Sequence, residues 1–238
     1  MSAQGPSAAS ANDRLIFALD VESAAEARAL VGRVRGAAGW LKVGLELFAA
    51  EGLAVLSGLP EGRVFLDLKL HDIPETVGRA VARVSRHAEV GMLTVHASGG
   101  RAMLSRAAKE AGSVKILAVT VLTSLDATDL RETGDGGRVE EIVVRRARLA
   151  AEAGCHGVVC SPREAAIVRA EVPPEFLVVT PGVRPAGSPW GDQKRVATAA
   201  EAIRAGASHV VVGRLIRDAA DPFAQANAIA DEIAGALS

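Results

Sequence analysis

The chain has 238 residues, of which 49% are hydrophobic and 23% charged, and its formal net charge is −1. That length suits one large domain or two small ones with a sizeable core. So small a net charge excludes a strong field for nucleic acid or an anionic membrane surface, and no run of about 18 apolar residues is present to span a bilayer.

The first dozen residues, "MSAQGPSAASAN", are small and polar, with neither a basic n-region nor an apolar h-region. They predict a disordered tail over 1–12 and no secretory signal, with one domain over 13–238. From residue 14 onward β-rich runs alternate with longer Ala/Arg/Glu/Leu stretches of helical period. Strands are predicted at "LIFALD" (15–20), "WLKVGL" (40–45), "RVFLDLKL" (63–70) and "MLTVHA" (92–97), then "KILAVTVL" (115–122), "GVVCS" (157–161), "FLVVTPGV" (176–183) and "HVVVGR" (209–214). Amphipathic helices are predicted at "SAAEARALVGRVR", "IPETVGRAVARVSRHAE", "VEEIVVRRARLAAEAG" and "PFAQANAIADEIAGAL". The longest loops follow strands five and seven, "TSLDATDLRETGDGGR" and "RPAGSPWGDQKR".

Eight strand-then-helix units in one series predict a (β/α)8 TIM barrel, an α/β fold in a single domain. A doubly wound sheet is the competitor, but no G-x-G-x-x-G follows the first strand. The glycine clusters "ASGGRAM" and "TGDGGRV" lack dinucleotide or Walker spacing and read as turns.

Active sites of such barrels gather at the C-terminal ends of the strands. Asp20 ends the first strand, Lys42 lies in the second, and Asp67 and Lys69 are near the end of the third. His96 ends the fourth, Thr123 follows the fifth, and Arg214 follows the eighth. Asp67 and Lys69 are two apart, so they share a face, which must be the lumen if Leu66, Leu68 and Leu70 pack outward. Asp72 falls past the strand, where it is also a candidate helix N-cap. Unpaired ions are costly to bury, but an alternating array of Lys42, Asp67, Lys69 and Asp72 keeps each beside an opposite charge. It also holds a charged lysine poised to deliver a proton.

A second constellation lies late in the chain. "TPGVRP" and "VVGRLIRDA" place Arg184 and Arg214 as charges, with Gly182 and Gly213 allowing close backbone approach. Loops after strands seven and eight commonly bind phosphate in this fold, and the segment from Arg184 to Gln193 reads as a lid. Cys155 and Cys160 read as buried free thiols in a reducing cytoplasm, since no second pair is present for zinc. His71 and His87 read as structural or solvated and His156 and His209 as strand-start residues, while His96 is a candidate to face the site. Asp126 and Asp129 read as helix-start or turn residues.

The run "DLKLHDIPET" resembles the D-x-K-x-x-D-I-P-x-T signature of the orotidine 5'-phosphate decarboxylase family. "LDV", "LKVGLELF", "TVHASGG", "AVTVLTS", "TPGVRP", "DQKR" and "VVGR" follow in that family's order, from about residue 14 to the C-terminus. The resemblance implies decarboxylation of orotidine 5'-monophosphate to UMP and CO2, the last step of de novo UMP synthesis, with no metal and no organic cofactor. It implies a homodimer with active sites shared across the interface. Lys69 would protonate C6, Asp67 would sit against the departing carboxylate between Lys42 and Lys69, and Asp72 and Thr76 would come from the partner. Asp20 and Lys42 would contact ribose hydroxyls and Thr123 the pyrimidine, with Ile73 also at the substrate. Arg184, Gln193, Gly213 and Arg214 would serve the phosphate region. Three rival functions are a metal-dependent barrel resembling 3-hexulose-6-phosphate synthase, a Schiff-base enzyme using Lys69, and a non-catalytic nucleotide-binding barrel. Two lysines would repel the metal of the first, a lysine between carboxylates does not suit the second, and the third could discard the charge array.

Overall fold

A computed structural model describes residues 10–183 and 197–238. Eight parallel strands close into a barrel in chain order: β1 (Leu15–Ala18), β2 (Trp40–Gly44), β3 (Val64–Leu70), β4 (Val90–His96), β5 (Lys115–Val119), β6 (Gly157–Val159), β7 (Leu177–Thr180) and β8 (His209–Val212). The ring is sealed by Leu15 opposite Val210 and Phe17 opposite Val212. This is the (β/α)8 barrel that the sequence predicts. The charged ends assigned to several strands lie beyond the ladders, because the chain leaves the sheet to deliver those side chains to the rim.

The outer ring comprises α1 (Ala24–Val34), α2 (Leu45–Glu51), α3 (Pro74–Val84), α4 (Gly100–Glu110), α5 (Ala127–Glu132), α6 (Val139–Glu152), α7 (Ala165–Arg169), α8 (Ala199–Arg204), α9 (Arg214–Arg217) and α10 (Pro222–Leu237). α1 shows why these segments are helical: Ser23 caps it by accepting from the Glu26 amide, and Ala27, Leu30 and Val34 turn one buried stripe to the sheet. The segment after β5, expected as a loop, contains α5. Asp126 caps it and Asp129 returns a bond to the Asp126 amide, a reciprocal box that lets six residues stand as a helix.

Two cores result. Alternate strand residues such as Leu15, Phe17, Leu66 and Val210 pack outward under the helices. The other set, including Ile16, Trp40, Phe65, Met92, Leu117, Val179 and Val211, fills the lumen and plugs it. Burial of a large apolar side chain contributes about 1.5–3 kcal/mol, so this plug is a structural element in its own right.

Of the expected tail, residues 10–12 are described, and the chain is tethered there: Asn12 Nδ2 donates to the Ala37 carbonyl at 2.7 Å. Both cysteines are buried and stand outside any disulfide, and burial pushes the Cys155 thiol up to about 12. Among the described residues no helix is long and apolar enough to cross a membrane.

Candidate active site

Above the plug, at the C-terminal ends of the strands, lies a cavity of about 370 Å³. Ala18, Phe65, Val159 and Val211 form its apolar floor, and Asp20, Lys42, Asp67, Lys69, Thr123, Gly182, Gly213 and Arg214 line its polar wall. An apolar floor with a few convergent polar groups is the usual form of a small-molecule site.

The charges form one chain across three strands. Lys42 Nζ lies 3.0 Å from Asp20 Oδ1 and 3.9 Å from Asp67 Oδ2, and Lys69 Nζ lies 2.9 Å from the same Asp67 oxygen. The Lys42 and Asp67 side chains are only 12% and 14% exposed, so the pairing is screened little by water. Gly44 belongs to this arrangement: a Cβ there would meet Lys42 Nζ at 3.0 Å. Within one chain the fourth member is therefore Asp20, which the family resemblance assigns to the ribose.

Asp72 is exposed, does not line the cavity, and accepts from the Ile73 amide at 2.6 Å. Its expected N-cap role is corrected: the cap position of α3 is Ile73, without a side-chain bond. Pro74 has no N–H and a φ already set for a helix, so the first turn needs less capping. Ile73 is 65% exposed, a large apolar side chain left in solvent beside the rim, and Thr76 is exposed as well. Neither lines the cavity of its own chain. Arg184 and Gln193, expected at the phosphate, and the predicted lid lie outside the described residues.

His96 does not line the cavity. Its ring stacks on His71 with centroids 5.5 Å apart, and Nδ1 lies 3.1 Å from Ser98 Oγ. Burial, then the charges of His71, Arg146 and Lys69, push it down to about 4, so it is neutral at pH 7. His156 and His209 hold strand starts as expected: the Ile116 amide donates to His156 Nδ1, and His209 pairs with Ser208.

Three contributors carry no chemical signature in the sequence. Thr94 on β4 is fully buried; its Oγ1 donates to Asp67 Oδ1 at 2.9 Å and accepts from the Lys69 amide at 2.8 Å. Arg146 on α6 donates to the Thr120 carbonyl at 2.8 Å and to Asp135 at 2.6 Å, clamping the loop that carries Thr123. Arg217 donates to the Asp20 carbonyl at 2.8 Å while paired with Asp218. Each is a buried Thr or a helix-face Arg, residue types that strands and solvated helices use everywhere.

A family model described as "Orotidine 5'-phosphate decarboxylase / HUMPS family" matches residues 13–229. The chain belongs to this family. It is 56% identical to the orotidine 5'-phosphate decarboxylase of Anaeromyxobacter dehalogenans over 222 residues, covering 92% of this chain and 97% of that one. It is 54% identical to the enzyme of that name from Moorella thermoacetica over 235 residues, covering 94% and 93%. A solved structure, the orotidine 5'-phosphate decarboxylase of Lactobacillus acidophilus, superposes with a TM-score of 0.80 at 34% identity, covering 92% of this chain and 98% of that one. The run "DLKLHDIPET" thus begins on β3, the strand that carries the central carboxylate and the half-buried Lys69 ammonium, and runs on into the first turn of α3.

Proposed function

We propose that the protein is an orotidine 5'-phosphate decarboxylase, converting orotidine 5'-monophosphate to UMP and CO2 with Lys69 as the proton donor. The observation that carries this is the placement of Lys69 Nζ in the cavity, 2.9 Å from Asp67 Oδ2, with Lys42 Nζ 3.9 Å from the same carboxylate oxygen. The C6–carboxylate bond breaks heterolytically, CO2 leaves, and the electron pair remains on C6. Lys69 gives that carbon a proton, and the lysine recovers one from solvent. A preorganised ammonium above an apolar floor is what such a developing carbanion requires. Asp67 holds the ammonium in place and lies beside the departing carboxylate. Asp20 and Lys42 serve the ribose hydroxyls, Thr123 the pyrimidine, and Gly213 and Arg214, with Arg184 and Gln193, the phosphate.

The reaction is the last step of de novo UMP synthesis in the cytoplasm, a reducing compartment to which two buried cysteines outside any disulfide are suited. The active unit is a homodimer in which Asp72, Ile73 and Thr76 complete the partner's site. Support comes from their exposure and from their not lining the cavity of their own chain. The metal-dependent alternative is disfavoured by the donor set: Oδ2 of Asp67 faces two ammonium groups and Oδ1 accepts from Thr94.

The test is the ultraviolet absorbance of orotidine 5'-monophosphate followed with and without EDTA. Turnover unaffected by EDTA is expected; no turnover refutes the proposal, and EDTA-sensitive turnover transfers it to the metal-dependent class. Lys69→Ala should lower kcat by at least about 10²–10⁴-fold, the usual worth of a general acid, while UMP still binds. Substantial residual turnover removes Lys69 from the role.

A further inference from the structure

We propose that Thr94 is a positioning residue for decarboxylation, its hydroxyl locking the backbone break in β3 that aims Lys69 into the cavity. Along β3 and β4, Leu66 lies opposite Leu93 and Leu70 opposite Val95, so β3 advances four residues while β4 advances two. The excess is a bulge, and Lys69 sits in it at φ +50, a left-handed conformation that a side chain with a Cβ rarely adopts. Such a residue is strained and persists only where its surroundings hold it.

Thr94 supplies that hold. It is the β4 residue between Leu93 and Val95, opposite the break, and it is fully buried. Its hydroxyl has one proton, which goes to Asp67 Oδ1 at 2.9 Å, so its lone pairs are left to accept the Lys69 amide at 2.8 Å. The side chain thus takes the place of the ladder bond that the bulge removes. With Oδ1 held, Oδ2 is turned toward both ammonium groups, 2.9 Å from Lys69 and 3.9 Å from Lys42. One hydroxyl fixes the backbone of the lysine and the plane of the carboxylate together. Neither bond has water as a substitute at a position with no exposure.

The inference rests on Lys69 being the proton donor, and the experiment separates the two. Thr94→Val keeps the shape and removes the hydroxyl, and Thr94→Ser restores it. Thr94→Val is expected to lower kcat by about 10²-fold, the scale of a misplaced catalytic group, with UMP affinity unchanged; Thr94→Ser should recover most of the rate. Should Thr94→Val not fold, Thr94→Ala provides a second side chain without a hydroxyl, and the same contrast with Ser is expected. A wild-type kcat in the hydroxyl-free variants overturns the proposal, as does an equal loss of UMP binding and rate, or a Ser variant as slow as Val. Lys69→Ala is measured in parallel. If it turns over normally the donor assignment fails, whereas an inactive Lys69→Ala beside a fully active Thr94→Val removes Thr94 alone.

Discussion

His209 shows how a residue outside the chemistry makes stability depend on pH. It begins β8 at the closed end of the barrel, edge-on to Trp40 with ring centroids 6.2 Å apart. Burial, then the nearby charges of Arg14 and Lys115, push its pKa from 6.5 down to about 4 against a weaker pull from Asp13. The unfolded chain therefore binds this proton more readily than the folded one between those values. The residue's contribution to stability is complete above pH 6.5 and is lost as pH falls toward 4. At pH 5 the loss is about 2 kcal/mol by the free-energy equivalent of a pKa difference. Urea unfolding at pH 7 and pH 5 checks this: His209→Gln should flatten the pH dependence by about that amount relative to wild type. The charged residues at the strand ends were legible because ions in apolar runs need a reason. Thr94 was not, since a β-branched residue in a strand already has one.

At the scale of elements, the strand-then-helix rhythm was legible in all eight units because each strand has a compact apolar run and each long helix a clear stripe. What the period does not report is how a ladder breaks. Alternation correctly sends Asp67 and Lys69 to the lumen, yet the chain reaches that result through a left-handed residue and a bulge. The α5 helix was hidden for a different reason: its six residues bury only Leu130, too short a stripe to show a period. The loop leading to it is set by the Arg146 clamp. Asp135→Asn weakens one arm of that clamp while sparing the bond to the Thr120 carbonyl, and Asp135 does not line the cavity. Because Thr123 rides on this loop, the substitution should raise KM several-fold with a smaller change in kcat, on the scale of the roughly 1 kcal/mol that separates a charge-assisted hydrogen bond from a neutral one. Steady-state kinetics on the purified variant decides it, and a fall in kcat alone places the clamp elsewhere.

For the whole molecule, one barrel supplies a cavity whose charge array ends at Lys69, and the signature's last acid stands outside it. The proposed shared site makes a prediction that no single-chain site can meet. Lys69→Ala and Asp72→Ala chains, each inactive alone, should regain part of the wild-type rate when mixed and allowed to exchange. One site of each hybrid dimer then receives an intact Lys69 from one chain and an intact Asp72 from the other. No recovery, in a mixture shown by mass to contain hybrids, would place both residues in the same chain's site.

The plugged lumen has a consequence for traffic. With Ile16, Trp40, Phe65, Met92, Leu117, Val179 and Val211 filling the barrel below the cavity, the site is a cul-de-sac. Nucleotide and gas must leave by the doorway through which the substrate came. The small product has no rear exit, so it escapes past whatever still occupies the entrance, and the order of departure is decided at the rim.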